Sequence, residues 1–299
     1  AAASYLAFAG NNGAFIAVGR GVASGFSFAQ AAWGAGSLAS AQMDGLGVAN
    51  ALVNLAQGGY SASFGGQALG RLRIAATWSA SPPPVGSAVA SDRTRSDATA
   101  AAIALTAKVG PHLSVGMTYS TLAENNALLG ATYASGGLLD LGAHRQSRML
   151  GLSAALGLGG KLSILAEAAF GDTDGAAVHS GLLKAVSPLK SQAWGLSLIE
   201  ADVLKKGDTL QVSVRQPLRI TSGVAQLAIT GVDANGYPVT SFEPVSLTPS
   251  GHETDVTLGY AAPLSRRVSL RSDLSWRSDA DNIAQRNDLA FRLGFTAAF

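Results

Sequence analysis

The chain ends Leu289-Ala290-Phe291-Arg292-Leu293-Gly294-Phe295-Thr296-Ala297-Ala298-Phe299. Large apolar side chains stand at alternate positions, with small or polar residues between them. A period of two is the signature of a strand with one greasy face. The same pattern recurs upstream: Val268, Leu270, Leu274 and Trp276 alternate with Ser269, Arg271, Asp273, Ser275 and Arg277. Before that, Val256, Leu258, Tyr260, Ala262 and Leu264 oppose Asp255, Thr257, Gly259 and Ala261, and Leu210, Val212, Val214, Leu218 and Ile220 oppose Gln211, Ser213, Arg215 and Arg219. Charges on the face opposite the apolar one call for a wet lumen rather than a dry core.

Composition agrees. Only 13% of the 299 residues are charged, where a soluble domain carries about a quarter, and the mean hydropathy is +0.25. No run of 18 or more apolar residues exists to form a spanning helix. The remaining way to satisfy every backbone polar group in lipid is a closed barrel. The expectation is therefore an all-β, transmembrane, antiparallel up-and-down barrel. The absence of cysteine excludes thiolate metal sites, disulfides and a cysteine nucleophile. A net charge of +2 with dispersed Lys and Arg makes nucleic acid a poor partner.

Further strands are expected at 191 to 203, 161 to 170, 145 to 158, 112 to 122, 99 to 109 and 69 to 79, each roughly the 9 to 11 residues that a tilted strand needs. With 58 to 67 and one more near 5 to 20, the count is about twelve. Tight connections at Gly110-Pro111, Gly159 to Lys161, Lys205 to Asp208 and Pro263 to Arg266 alternate with long ones at about 80 to 98, 123 to 144, 171 to 190, 229 to 245 and 279 to 287. Barrels of this class keep short turns on the periplasmic side and long loops outside. In strand 191 to 203, the phase of Trp194, Leu196 and Leu198 carries Glu200 and Asp202 to the lipid side, so a bulge near Leu198 and Ile199 is expected.

Residues 1 to 57 read as a pre-barrel segment, whether a passenger stub, a plug helix or a first strand, and 58 to 299 as the barrel. Ala7-Phe8-Ala9 and Phe15 to Val18 flank Gly10-Asn11-Asn12-Gly13 as in a hairpin. Gln42 to Gln57 places Leu46, Ala49, Leu52, Val53 and Ala56 at helical spacing, a short helix lying in or above the lumen. Ala1 to Ser4 open the chain, and no basic residue precedes Arg20. Without the basic and apolar regions of an export leader, export is inferred from the barrel pattern.

The stretch from 190 to 299 resembles the C-terminal translocator barrel of bacterial autotransporters, in particular the type that follows subtilisin-like peptidase passengers. The likeness rests on Lys206-Gly207-Asp208 leading into Gln216-Pro217-Leu218-Arg219 and Ser222-Gly223, on Leu247 to Glu253 leading into Asp255 and Leu258-Gly259-Tyr260, and on the terminal aromatic. It implies a barrel in the outer membrane of a Gram-negative bacterium, in contact with lipid and lipopolysaccharide, that exports and anchors an N-terminal passenger. Phe291, Leu293, Gly294, Phe295 and Phe299 are similar to the signal read by the barrel assembly machinery. Fewer than sixty residues precede the expected barrel, too few for a passenger. The alternative is a pore, or a structural barrel in a larger envelope complex.

Three sets of residues carry the chemistry. Arg71, Arg73, Glu167, Arg215, Arg219, Asp255, Arg271, Asp273, Arg277 and Arg292 share the lumen phase; they either tune a pore toward anions or pair across strands and clamp the helix. Trp78, Tyr119, Trp194, Tyr260 and Trp276 form a candidate aromatic girdle at the lipid interface. Catalysis would draw on Asp140, His144, Asp172, Asp174, His179, His252 and Asp255 in the loops, but no spacing motif unites them, and no metal motif or cofactor is implied. Ser24 to Ala29 resembles a subtilisin nucleophile turn, with Phe26 in place of the expected Thr and no upstream Asp or His to activate Ser27. No catalytic residue is expected.

Overall fold

The computed structural model describes residues 4–10, 13–20, 48–56, 59–81, 97–125, 127–129, 131–132, 144–178, 181–265 and 268–297. Its wall strands are β1 (Ser4–Ala9), β2 (Phe15–Arg20), β3 (Tyr60–Leu69), β4 (Leu72–Ala80), β5 (Asp97–Lys108), β6 (Leu113–Asn125), β9 (Arg145–Gly159), β10 (Leu162–Thr173), β13 (Leu189–Ala201), β14 (Thr209–Ser222), β17 (Thr254–Pro263), β18 (Val268–Ser278) and β19 (Asp288–Ala297). They form one sheet in that order, with every neighbour antiparallel. This is the up-and-down meander of a transmembrane barrel.

Thirteen strands in place of about twelve follow from the N-terminal hairpin, because both of its arms join the wall: β1 pairs with β2, and β2 with β3. The wall thus begins within the first ten residues rather than at 58. An odd count makes β1 and β19 run in the same direction. Among the described residues the two are not paired, so the sheet is not closed edge to edge.

The outer face is apolar. Phe64, Ile103, Phe170, Leu196 and Phe291 are all at least half exposed, which in water would be an aggregation hazard but suits lipid. The inner face is small and hydroxylic, and neighbouring strands share hydroxyl hydrogen bonds there: Ser63 to Thr77 at 2.7 Å, Ser147 to Thr173 at 2.8 Å and Thr257 to Ser275 at 2.7 Å. Each pair satisfies polar atoms that burial would otherwise leave unpaired.

Beyond the long-loop rim, β11 (Ala176–Ala177), β12 (Leu183–Val186), β15 (Val224–Val232) and β16 (Pro238–Ser246) make a second sheet, while β7 (Ala127–Leu128) and β8 (Ala131–Thr132) pair with each other. The span from 229 to 245, expected as a plain link, belongs to the β15–β16 hairpin. Its tip is closed by Asp233, whose carboxylate accepts the Asn235 and Tyr237 amides.

At the opposite rim, Glu200 and Asp202 correct the expected bulge. The β10–β13 register runs unbroken from Leu162↔Glu200 to Thr173↔Leu189. The irregularities with β14 fall at Lys190/Ser191 and Gln192/Trp194. Glu200 keeps the outward phase because β13 ends one residue later, where a carboxylate can leave the lipid. Asp202 turns off the strand at φ 54° and pairs with Lys161 at 3.1 Å. The same turn is held by Asp208, whose buried carboxylate accepts the amides of Val203, Leu204 and Lys205 and the Tyr260 hydroxyl at 2.8 Å. Burial alone pushes the Asp208 pKa up; the Tyr260 hydroxyl and the three amides outweigh it and hold the carboxyl below its ordinary value.

Candidate functional site: a helix and an arginine wall in the lumen

Inside the wall, a 3₁₀ turn (Val48–Asn50) leads into α1 (Ala51–Leu55). Helical spacing predicts 42 to 57; residues 42–47 and 57 lie outside the described set, and the helix proper among the described residues is five residues long. So short a helix has little stability of its own, and it is held by packing. Leu52 and Val53 are fully buried. Val48, Leu52 and Ala56 pack on Ala98, Ala100, Leu122, Met149, Ala169 and Ala193 from five strands, β5, β6, β9, β10 and β13. Val53 sits on Ala75, Ala102 and Ala104.

The sequence prepared this seat with small inward residues. A Cβ at Gly151 would lie 2.6 Å from the Ala49 carbonyl oxygen, and one at Gly195 would lie 3.1 Å from Val48 Cγ2. Glu167 accepts the Val48 amide at 3.3 Å. Gly151→Val is expected to push α1 off β9 and destabilise the barrel by about 1–3 kcal/mol, the usual penalty of overpacking. Thermal unfolding in detergent checks this; an unchanged transition would show that the contact does not hold the helix.

Both ends of the link that carries α1 are attached at one rim. Arg20 closes β2 and Tyr60 opens β3; the two are register partners, and the guanidinium lies 5.4 Å from the ring centroid. The link therefore leaves and re-enters the wall on the long-loop side and folds inward between.

Facing α1 across the lumen are the charged strands. Arg215 pairs with Asp255 at 3.1 Å. Arg271 pairs with Asp273 at 3.0 Å. Arg277 reaches Glu253 and Asp281, both at 3.8 Å, and bonds Asp288. Arg219 is buried and donates to the carbonyls of Gly251 at 3.0 Å and Pro249 at 3.3 Å, which draws the 247–253 loop over the lumen. Arg73 donates to the Gly13 carbonyl at 3.2 Å. Arg292 stands opposite Asp273 in the register. Arg71 lies in the β3–β4 turn at the short-turn end of the lumen, exposed, because β3 ends at Leu69 and β4 begins at Leu72.

Between α1 and this wall lies a cavity of about 750 Å³. Val48, Ala51, Asn54 and Leu55 form one side; Arg215, Arg219, Arg277, Arg292, Glu253 and Asp255 form the other. A second cavity of about 400 Å³ opens toward the short turns, lined by Arg71, Arg73, Lys108, Gln67, Thr106 and Ser114, with no carboxylate. In the larger cavity four arginines face two carboxylates. One of these, Glu253, is pushed up to about 7 by burial first and by neighbouring Asp255, against the pull of Arg277.

No family model matches this chain, and no curated protein matches it. Among solved structures it is similar to the Pseudomonas putida toluene transporter TodX, at 13% identity over 80% of this chain and 73% of that one, with a TM-score of 0.46. It is similar also to Pseudomonas putida OprB in its high-pH structure, at 12% identity over 99% of this chain and 72% of that one, with a TM-score of 0.47.

The girdle candidates divide. Trp78, Tyr119, Trp194 and Trp276 face outward and are exposed. Trp194 satisfies its indole N–H on Gln216 at 2.8 Å, as an indole in lipid requires. Tyr260 is half-buried and serves the Asp208 turn. In the C-terminal strand, Phe291, Leu293 and Phe295 face outward and Gly294 lies opposite Arg271; Phe299 lies outside the described residues. Of the loop Asp and His candidates, Asp140 and His179 also lie outside them, as does the Ser24 to Ala29 fragment. The others are dispersed: His144 bonds Asn125, Asp174 pairs with Arg148, Asp172 faces outward, and His252 donates its amide to Asp279.

Sequence reading missed three features of the site. Glu124 and Arg145 are buried register partners near the long-loop rim; the strand expected to stop at 122 runs to Asn125. Glu253 sits one residue ahead of β17, outside any alternation that could give it a phase. The alanine face of β5, at 98, 100, 102 and 104, was visible as small residues but carried no sign that a helix covers it.

Proposed function

We propose that this chain is a pore of a Gram-negative outer membrane, its lumen narrowed by the inward-folded link between β2 and β3. The observation that carries the reading is that this link starts and ends at one rim while its helix lies against the inner wall. A translocator would need a segment running from one rim to the other. The apolar outer face and outward aromatics fit contact with lipid and lipopolysaccharide, and the alternating C-terminal strand fits delivery by the barrel assembly machinery. Passenger export and partner envelope proteins have no comparable support in the geometry.

The charges set the preference. Arginines outnumber carboxylates in the larger cavity, and the smaller one is lined by three cations and neutral residues, with no carboxylate. Like-signed linings select counter-ions. The full chain in a planar bilayer under a potassium chloride gradient is expected to show steady conductance with a reversal potential on the chloride side. A silent bilayer, or a reversal potential on the potassium side, would sink the reading.

A further inference from the structure

The larger cavity is asymmetric in a way that a simple water-filled pore does not require. Its α1 side presents Val48, Ala51 and Leu55, joined by Leu128, Leu129 and Leu218. Its opposite side is the arginine wall. A volume of about 750 Å³ lies within the roughly 300–1,000 Å³ of small-molecule sites, which are mostly apolar with a few placed polar groups. Of the four arginines, Arg215 and Arg277 are neutralised by carboxylates. Arg219 donates to carbonyls and has no ion-pair partner among the described residues. Arg292 has no ion-pair partner among the described residues and lines the same space.

We propose that this cavity is a binding site for small amphipathic organic anions: a carboxylate held at Arg292 and Arg219, and a short alkyl chain or aromatic ring laid against Leu55 and Leu218. The proposal rests on the pore reading for its biological sense, since the bound anion would be the solute in passage. The cationic lining at the short-turn end, Arg71, Arg73 and Lys108, offers the same sign of charge further along the lumen. A neutral solute would gain nothing from two uncompensated guanidiniums, and an inorganic anion would gain nothing from the leucines.

The test is isothermal titration of the detergent-solubilised full chain with acetate, butyrate and hexanoate, and with hexan-1-ol and hexylammonium as chain-matched controls. Affinity is expected to rise about four-fold per added methylene, the equivalent of about 0.8 kcal/mol of buried CH₂. Hexan-1-ol and hexylammonium are expected to leave hexanoate binding unaffected. Arg292→Gln, a change at an exposed side chain without an ion pair, is expected to weaken hexanoate at least ten-fold while the strand signal in circular dichroism is retained. Leu55→Ser is expected to flatten the chain-length series and leave acetate unchanged. Equal affinity for acetate and hexanoate, or equal binding of hexylammonium, overturns the proposal. Hexanoate binding by a chain that carries no current in bilayers supports the site and overturns the pore; chloride-selective current without chain-length-dependent binding supports the pore and overturns the site.

Discussion

Replacing residues 21 to 59 by a two-residue turn is expected to raise single-channel conductance several-fold. Arg20 and Tyr60 already face one another across β2 and β3, so a short turn can join those strands without disturbing the register. What disappears is the only helix that the described residues place in the lumen, packed on five strands. The wall is held by its own ladder hydrogen bonds and by its outward side chains in lipid, and neither depends on α1. The loss is local: Leu52 and Val53 each contribute roughly 1.5–3 kcal/mol by burial, so the shortened barrel is expected to melt earlier but to retain its strand content. The charged side of the lumen, from β14 to β19, is left in place, so the chloride preference should persist at the higher conductance. Unchanged conductance would mean that α1 does not obstruct the path of ions. A larger but non-selective current would mean that the arginine wall sets its preference only with α1 opposite it.

The fold was legible because lipid imposes a simple code. A strand with lipid on one side must alternate, and the alternation at 289–295, 268–277 and 256–260 located β19, β18 and β17 within a few residues. The hairpin at Gly10–Gly13 was legible from its turn chemistry, yet it was counted as one strand because its arms are only six residues each, shorter than a spanning strand. The rim resisted for a different reason. Beyond the bilayer a strand no longer alternates for lipid, so Glu124, Arg145 and the β15–β16 hairpin left no periodic mark. The lumen was half legible. Its charges could be phased from the outward residues, but pairing depends on register between strands, and no single sequence shows that Arg215 lies opposite Asp255 or that Arg219 takes carbonyls of a loop thirty residues on. Inward alanines and glycines are ambiguous by nature, since a small residue marks a close approach without naming what approaches.

Anion preference is expected to strengthen as pH falls through about 7, and Glu253 is the reason. Its carboxyl is buried at the long-loop rim and titrates near 7, because burial and the charge of Asp255 disfavour its ionised form more than Arg277 favours it. Above 7 the Glu253 carboxylate adds its charge to the side facing the four arginines of the cavity; below 7 it is protonated and that charge is gone. One unit charge at about 8 Å is worth between about 0.5 and 2 kcal/mol, depending on whether the path is as wet as bulk water or like a protein surface, so the chloride-to-potassium permeability ratio should rise about two-fold or more between pH 8 and pH 6. The direction for stability follows from the same shift. The folded chain holds a proton at Glu253 between about 4.5 and 7 that the unfolded chain releases, so this residue favours the fold below 4.5 and that contribution is lost as pH rises through 7. His252 is adjacent, Asp279 and Asp281 lie in the loop packed against it, and Arg277 and Asp255 face it from β18 and β17. Glu253→Gln separates these groups, since it fixes the protonated form while leaving the others free to titrate. The variant is expected to show the low-pH selectivity at every pH from 6 to 8. A wild-type ratio that stays flat over that range, or a variant that still steps near 7, would remove Glu253 from the account.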